Sequence, residues 1–296
     1  MTTTANPPPA VKARRASTGR WLGRMLLHAA LLSIIAVWLV PALGLLVSSF
    51  RPADRIANTG WWTALAEPTR FTLENYRAVL RTSDLGQSFI NSLTIAIPST
   101  VLTILIAAFA AYAFAWMRFP GRSFLFFLIV GLLVVPLQMT MVPVLRLLTG
   151  LGLTGTFPAV WLAHTGYGLP FAIYLLRNFF AELPREMFES AEIDGASPFT
   201  TFTRLALPTS VSALASLGIF QFLWVWNDLL VALIYLGGRP AVAPLTVAVS
   251  NLVNQYGQGW QLLTAAAFLS MLLPLVVFFS LQRYFVRGIL AGSVKG

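Results

Sequence analysis

The 296-residue sequence has no cysteine, two histidines, two lysines and only 10% charged residues. Without cysteine, the chain can form no disulfide, thiolate metal site or cysteine nucleophile. A P-loop requires a lysine in the pattern G-x-x-x-x-G-K-[ST], and neither Lys12 nor Lys295 lies in that context. The chain therefore cannot bind and split ATP by P-loop chemistry.

Motifs for other enzyme chemistry are also missing. The sequence contains no Gly-x-Ser-x-Gly elbow, no His-x-x-x-His pair and no cluster of metal-ligating side chains. We therefore expect no catalytic residues, no metal site and no cofactor in this chain.

Hydrophobic residues, in contrast, make up 57% of the sequence, more than a soluble domain normally contains. A transmembrane helix needs about 20 mostly apolar residues. Six runs meet this requirement, at residues 25–49, 90–116, 124–147, 157–179, 210–236 and 263–285. The sequence therefore predicts an all-α polytopic membrane protein with six transmembrane helices.

The chain is predicted to divide into two parts. Residues 1–20 contain a triple threonine and a triple proline but little apolar content, which is typical of a disordered tail. Residues 21–296 form the transmembrane domain. Within its third span, Pro136 and Pro143 predict bends, because proline interrupts the helical hydrogen-bond pattern.

The basic residues predict the orientation. If the six spans alternate, thirteen of the twenty basic residues fall on the side of the termini, and the short loops of the other side hold only Arg146 and Arg239. Because basic residues concentrate in short cytoplasmic loops, we expect both termini to be cytoplasmic. This bias also accounts for the net charge of +10, so the expected partner is a lipid bilayer and not a nucleic acid.

The first outer loop, residues 50–88, is rich in aromatic residues suited to the membrane–water interface. They are Trp61, Trp62, Phe71 and Tyr76. We expect short interfacial helices in this loop.

The cytoplasmic loop at residues 182–208 predicts two helices joined at a corner. Pro184 suits the first residue of a helix, and Gly195 suits the left-handed residue that ends it. Ser197 and Pro198 predict the N-cap and first residue of the second helix. Pro208 is predicted to end that helix before the fifth span.

An acidic stripe is predicted on the first of these helices, formed by Glu182, Glu186 and Glu189 at helical spacing. Like charges at this spacing weaken an isolated helix, which favours a basic partner. A solvated loop with an acidic face explains the same pattern, so residue chemistry alone leaves both interpretations open.

The loop resembles the EAA loop of ABC-importer permeases, whose pattern is E-A-A-x-x-x-G followed, after nine residues, by a hydrophobic residue and x-L-P. Glu189, Ala191 and Gly195 match its start and residues 205–208 match its end, while Ser190 replaces the first alanine. Residues 194–196 match the sugar-permease version. Residues 71–76, 226–230, 282–288 and 291–296 also resemble segments of these permeases, in particular the smaller membrane subunit of the maltose-transporter type.

The resemblance implies an ABC type I importer permease in a bacterial cytoplasmic membrane, with the loop acting as the coupling helix that docks on an ATP-binding subunit. The residues expected at that contact are Glu189, Ser190, Ala191, Asp194, Gly195, Ala196 and Pro208. The implied partners are a second permease subunit, two ATP-binding subunits that hydrolyse ATP, an extracytoplasmic solute-binding protein and a sugar or oligosaccharide substrate.

Asp228 is the acidic residue placed well inside a predicted span. A charge in hydrocarbon is costly, so this side chain must face the bundle interior or a wet cavity. With Trp224 and Asn227 it forms a candidate substrate pathway, and a polar contact that locks helices together is the alternative.

Three other functions stay open. The first is an ABC permease for sn-glycerol 3-phosphate or another polar solute. The second is an ion-coupled secondary transporter, which would also carry an intramembrane acid. The third is a multi-pass membrane enzyme, for which the chain lacks candidate catalytic residues. The sequence does not identify the sugar, because specificity is shared with the implied partners.

Overall fold

A computed structural model describes residues 15–66, 70–82, 85–252 and 259–291, and all regular structure in these ranges is helical. The helices are α1 (Arg15–Ser49), α2 (Ala53–Asn58), α3 (Glu74–Thr82), α4 (Leu85–Trp116), α5 (Arg122–Gly131), α6 (Leu137–Gly150), α7 (Phe157–Ala181), α8 (Arg185–Ile193), α9 (Pro198–Thr201), α10 (Leu207–Thr209), α11 (Val211–Trp226), α12 (Leu230–Leu236), α13 (Leu245–Ser250) and α14 (Trp260–Ala291). Short 3-10 segments cover Trp61–Ala66, Leu132–Val134 and Pro240–Val242, and a π-helical segment covers Phe202–Ala206.

Four helices in the described ranges are long and apolar enough to cross a membrane alone: α1, α4, α7 and α14. Two bent pairs raise the number to six, namely α5 with α6, and the α9–α10 stretch with α11. The all-α polytopic fold predicted from the sequence is thus confirmed.

The third apolar run is broken and does not form one continuous helix. Its two halves, α5 and α6, meet at an angle of 107°. Pro136 is the N-cap of α6, and Val135 before it has extended backbone angles. Proline disfavours the helical conformation of the preceding residue, so the chain turns here. Pro143, in contrast, lies inside α6.

The predicted tail is too long. Helix α1 begins at Arg15, so residues 15–20 are helical and not disordered. Arg15, Ala16 and Arg20 are good helix formers but Ser17, Thr18 and Gly19 are not, so these residues continue a helix that the apolar segment after them has already begun. Residues 1–14 lie outside the described residues.

The outer loop contains the short helices that its aromatic residues predicted. Asn75 of α3 is buried and donates to the carbonyls of Ser49 and Arg51, at 2.9 and 2.8 Å, which ties α3 to the end of α1. Trp61 packs on α1 so closely that a Cβ at Gly44 would lie 3.0 Å from its Nε1. Burial, and secondarily the charge of Arg55, lower the pKa of Arg51.

Helices α4, α7 and α11 form the centre of the bundle. Buried alanines on α4 and α7 allow close approach, as is common in membrane helix packing. Gln221 of α11 reaches between them and donates to Thr103 Oγ1 at 3.3 Å and to the His164 carbonyl at 3.4 Å. A Cβ at Gly168 would lie 2.7 Å from this amide, so a larger residue there would displace the Gln221 side chain.

Helix α1 stands apart from this centre. Only 6% of its most apolar window is buried within the chain, and it packs mainly on α14. Large exposed side chains run along it, including Trp38, which is 80% exposed. This surface requires lipid or another protein chain to cover it.

Candidate coupling loop and transport pathway

The loop after α7 has the predicted helix, corner and helix. Helix α8 begins at Arg185, with Pro184 as its N-cap and therefore one residue outside the predicted start. Gly195 has a φ of +74°, which confirms the predicted left-handed corner. Ser197 Oγ accepts a hydrogen bond from the Thr200 N–H at 3.2 Å, and Pro198 is the first residue of α9.

One buried aromatic contact fixes α8 to the bundle. Phe188 is 8% exposed and stacks on Trp116 at the end of α4, with ring centroids 3.8 Å apart and planes 15° from parallel. Trp116 Nε1 in turn donates to the Phe180 carbonyl of α7 at 3.0 Å. These two contacts join α8 to the ends of α4 and α7.

The opposite face of α8 and the corner are uncovered. Glu189, Ser190, Asp194 and Gly195 are exposed, while Ala191 and Ala196 are half-buried. Nothing within the described chain lies within 4 Å of a Cβ placed on Gly195. The predicted contact residues thus share one accessible surface, apart from Pro208, which is exposed farther along the loop.

The acidic stripe is shorter than predicted. Glu182 is the C-cap of α7 and does not belong to α8, because Pro184 separates the two helices. Glu186 and Glu189 remain, and both are exposed on α8.

The second loop helix ends at Thr209, one residue beyond the predicted Pro208. The helical path runs through the π-helical segment and α10 to Thr209, and α11 starts at Val211 after a bend of 76°. Proline cannot donate a backbone hydrogen bond, and a wider π-helical turn accommodates that loss. The Thr209 hydroxyl donates to the Leu205 carbonyl at 2.6 Å.

Sequence reasoning missed the exposed apolar residues of this loop. Ile193 is 86% exposed and Phe199 is 64% exposed. The ring of Phe199 stacks with that of Phe109 on α4, with centroids 6.5 Å apart. No distinct signal marked them, because the same loop contains other apolar residues, such as Phe188 and Phe202, that are buried.

The predicted fifth span is broken at residues 227–229, between α11 and α12. Asp228 bridges the break: its carboxylate accepts hydrogen bonds from the N–H groups of Ala232 at 3.0 Å and Val231 at 3.4 Å. Its carbonyl accepts one from Thr246 Oγ1 at 2.6 Å. These contacts give Asp228 a structural role as a cap of α12.

Asp228 also approaches a second titratable group. His164 Nε2 of α7 lies 3.6 Å from Asp228 Oδ2, beyond hydrogen-bond distance. The imidazole is fully buried, neither of its nitrogens has a hydrogen-bond partner in the described residues, and it packs edge-on against Trp224 at 5.3 Å. The sequence did not predict this pairing, because the two residues are 64 positions apart along the chain.

The three predicted pathway residues lie together. Trp224, Asn227 and Asp228 line an open recess of ≈ 530 Å³ whose other walls are apolar. Trp224 and Asn227 are exposed, and Asn227 Nδ2 donates to the Leu223 carbonyl at 2.8 Å. An aromatic face and an amide at the mouth of a recess can contact a polar, ring-shaped solute.

A polar cluster missed by sequence reasoning lies on the other side of α12. The hydroxyl oxygens of Tyr167 and Tyr235 are 2.6 Å apart, and Thr140 Oγ1 donates to Tyr167 at 3.3 Å. Tyr235 also donates to the Met141 carbonyl of α6 at 3.4 Å. The cluster therefore links three helices next to both broken spans. Over the described ranges no group of three potential metal ligands occurs.

These observations define a class: a polytopic helical membrane protein with broken spans around a polar interior and a folded loop that presents one free face. Residues 77–291 match the family of binding-protein-dependent transport system inner membrane components. The chain belongs to this family and is an ABC-importer permease subunit.

Two curated relatives span almost the whole chain. The osmoprotective compounds uptake permease protein GgtD of Synechocystis sp. is 61% identical, over 91% of each chain. The alpha-glucoside transport system permease protein AglG of Rhizobium meliloti is 43% identical, over 91% of this chain and 96% of the relative.

A solved structure has the same fold. The match is to a bacterial ABC transporter involved in the import of the acidic polysaccharide alginate, with a TM-score of 0.65 at 17% identity, covering 92% of this chain and 99% of the other.

Proposed function

We propose that the chain forms the translocation path of an importer for a sugar or oligosaccharide and that separate subunits hydrolyse the ATP that drives it. The observation that carries the coupling role is the exposed face of α8 and its glycine corner, joined through Phe188 to the transmembrane helices. A partner that grips this face moves α4 and α7 as well.

The recess at the broken fifth span supports the substrate class. Its lining offers an aromatic ring and an amide, and Asp228 is its one charged member among the described lining residues. An acidic wall disfavours sn-glycerol 3-phosphate and suits a neutral polyhydroxylated solute. A relative named for alpha-glucosides agrees with this choice, and one named for osmoprotective compounds keeps other small polar solutes as the second candidate.

The assembly follows from the family to which the chain belongs. Two ATP-binding subunits dock on the loops of this chain and of a second permease, and they supply the P-loop that this sequence does not contain. Part of the exposed surface of α1 is covered by that second permease, and an extracytoplasmic binding protein delivers the solute. Both termini and the coupling loop face the cytoplasm, where ATP is available.

The test is reconstitution of this chain with its permease partner and binding protein in liposomes, with or without the ATP-binding subunits. We expect uptake of an alpha-glucoside only when the ATP-binding subunits and ATP are present. Uptake of the solute without them would contradict the proposal and favour a secondary transporter. Equal uptake of sn-glycerol 3-phosphate would contradict the substrate class alone.

Two variants of the exposed face of α8 and its corner test the coupling role separately. Glu189→Lys reverses a charge at the proposed contact. Loss of a central interface contact costs about 2 kcal/mol, so we expect the ATP-binding subunit to bind this variant more than tenfold more weakly. Gly195→Asp places a charged side chain on the open corner, where it obstructs a partner. The backbone strain stays below the usual value of about 1–2 kcal/mol, because aspartate tolerates a left-handed conformation better than most residues. We expect both variants to insert normally but to lose co-purification of the ATP-binding subunit, uptake and stimulated ATP hydrolysis.

The control is Glu74→Lys, the same charge reversal on the exposed outer helix α3. It should leave all three measurements near wild type. Near wild-type transport by Glu189→Lys and Gly195→Asp would show that α8 is not the coupling element.

A further inference from the structure

Three arginines lie near the ends of α4 and α7 and the start of α5, on the side of the coupling loop. Arg122 begins α5, Arg177 lies in the last turns of α7, and Arg118 lies between α4 and α5. Arg122 and Arg177 both line a pocket of ≈ 320 Å³, and a shallower adjoining recess is lined by Arg118 and Arg122. Among the described lining residues of these two pockets there is no acidic side chain.

The arginines of this pocket have hydrogen-bonding capacity that the protein does not use. Nε of Arg177 is buried and has no hydrogen-bond partner among the described residues. Its Nη1 donates to the Asn178 side chain at 3.2 Å, and its guanidinium lies over the Phe126 ring at 5.0 Å. Arg122 Nη1 donates to the Met117 carbonyl at 3.0 Å. Within the described chain, neither arginine forms an ion pair, and a buried unpaired donor is costly.

The surroundings of the pocket are apolar and open. Phe126, Val130 and Tyr174 contribute to its lining, and Phe127 on its rim is 76% exposed. The neighbouring Phe124 is 69% exposed. A soluble anion needs only the arginines, whereas a phospholipid needs a basic pocket for its phosphate and an apolar surface beside it for its acyl chains.

A third recess on the same side differs in this respect. It lies toward α8 and contains Arg118, Arg122 and Arg185, but also Glu189 and Glu192. Its mixed charge fits a protein contact and not an anion. The pocket between α5 and α7, in contrast, combines two arginines and no acidic lining residue with a wall of aromatic and aliphatic side chains.

We propose that the pocket between Arg122 and Arg177 binds the phosphate of an anionic phospholipid in the leaflet on the side of the coupling loop. Basic pockets between transmembrane helices are known to hold anionic headgroups. The positive-inside bias alone does not account for this site. Basic residues that only set the orientation need neither a defined pocket nor a buried donor without a partner. A bound lipid here bridges α5 and α7, next to the Trp116–Phe188 contact that holds the coupling loop.

The test uses the assembled transporter in phosphatidylcholine nanodiscs that contain a minor fraction of photoactivatable phosphatidylglycerol. Crosslinked peptides are quantified by mass spectrometry. We expect the label on the peptides of α5 and α7, with roughly fivefold less label for each arginine replaced in Arg122→Gln and Arg177→Gln. Photoactivatable phosphatidylcholine should give no preference for these peptides.

The matched control is Arg204→Gln, which removes an exposed arginine from the coupling loop on the same side of the membrane. It should leave the label on α5 and α7 unchanged. An equal loss in this variant would show that general surface charge, and not a site, attracts the lipid. Equal labelling by phosphatidylcholine would contradict the proposal as well.

Two further measurements keep the proposal falsifiable if a glutamine variant does not assemble. Arg122→Lys keeps the charge, so it must keep most of the label, and loss of the label would contradict the charge-based site. Inorganic phosphate in detergent should not protect the arginines from phenylglyoxal. Such protection would identify a site for a free anion, and absence of label in the assembled complex would show that a partner covers the pocket.

Discussion

At the scale of single residues, Asp228 contacts both the start of α12 and the open recess. Its carboxylate accepts from two N–H groups at the start of α12, which no preceding turn can pair. The same side chain borders the open recess and approaches His164. One substitution of Asp228 can therefore remove the charge and keep the hydrogen bonds to α12, while another removes both.

We predict that Asp228→Asn retains ATP-driven uptake at a reduced level, because asparagine caps a helix about as well as aspartate. Asp228→Ala should lose more, since it removes the cap, at a cost of about 1 kcal/mol, and leaves two donors unpaired in the membrane interior. Uptake by reconstituted transporter, measured against pH, checks both variants. Abolished uptake in a correctly inserted Asp228→Asn variant would point to a proton relay instead.

Residue-scale chemistry was predictable where it is local. Gly195 at a left-handed corner and Ser197 as an N-cap follow from backbone sterics and capping. The break at residues 227–229 was not predictable, because the segment contains neither glycine nor proline. It depends on the hydrogen bond from Thr246 to the Asp228 carbonyl, which the sequence does not place.

At the scale of elements, the position of α8 depends mainly on one aromatic anchor. Helix α8 has nine residues, too few to be stable alone in water, so its position depends on tertiary packing. The buried side chain that α8 contributes to that packing is Phe188.

We therefore predict that Phe188→Ala releases α8 while the transmembrane bundle remains folded. Deleting a buried phenylalanine costs about 3 kcal/mol or more, so trypsin should cleave after Arg185 at least about tenfold faster in the purified chain. Ile193→Ala, an apolar truncation on the exposed face of the same helix, should leave the cleavage rate unchanged. Equal cleavage rates in both variants would show that α8 is held by other contacts.

At the scale of the whole molecule, the orientation is a prediction that the charge pattern makes and that labelling can check. The chain has no native cysteine, so single cysteines report unambiguously. We expect Ser197→Cys to react with an impermeant maleimide only in permeabilised cells. Thr63→Cys, on the exposed surface of the outer loop, should react in intact cells. The reverse pattern would overturn both the orientation and the coupling role of α8.

The whole-molecule fold was predictable in outline because apolar runs long enough to cross a bilayer can be recognised in the sequence alone. The geometry of the third run was not, since Pro136 permits either a kink or a sharp turn. Only packing against neighbouring helices selects the 107° angle that the structure shows. The recess at Trp224 was likewise predictable in its members but not in its shape.

The sharp turn at Pro136 has a consequence for the thickness of the permeation barrier. Between Arg122 and the turn, α5 and its 3-10 extension comprise ten and three residues. At 1.5 Å per residue, or about 2 Å in a 3-10 helix, this is roughly 21 Å, whereas the hydrocarbon layer is about 30 Å thick. The segment therefore stops well short of the far boundary, and α6 leaves along a different direction. Beyond the turn, roughly 9 Å of the hydrocarbon layer has to be closed by α6 and by other helices, and not by a continuation of α5.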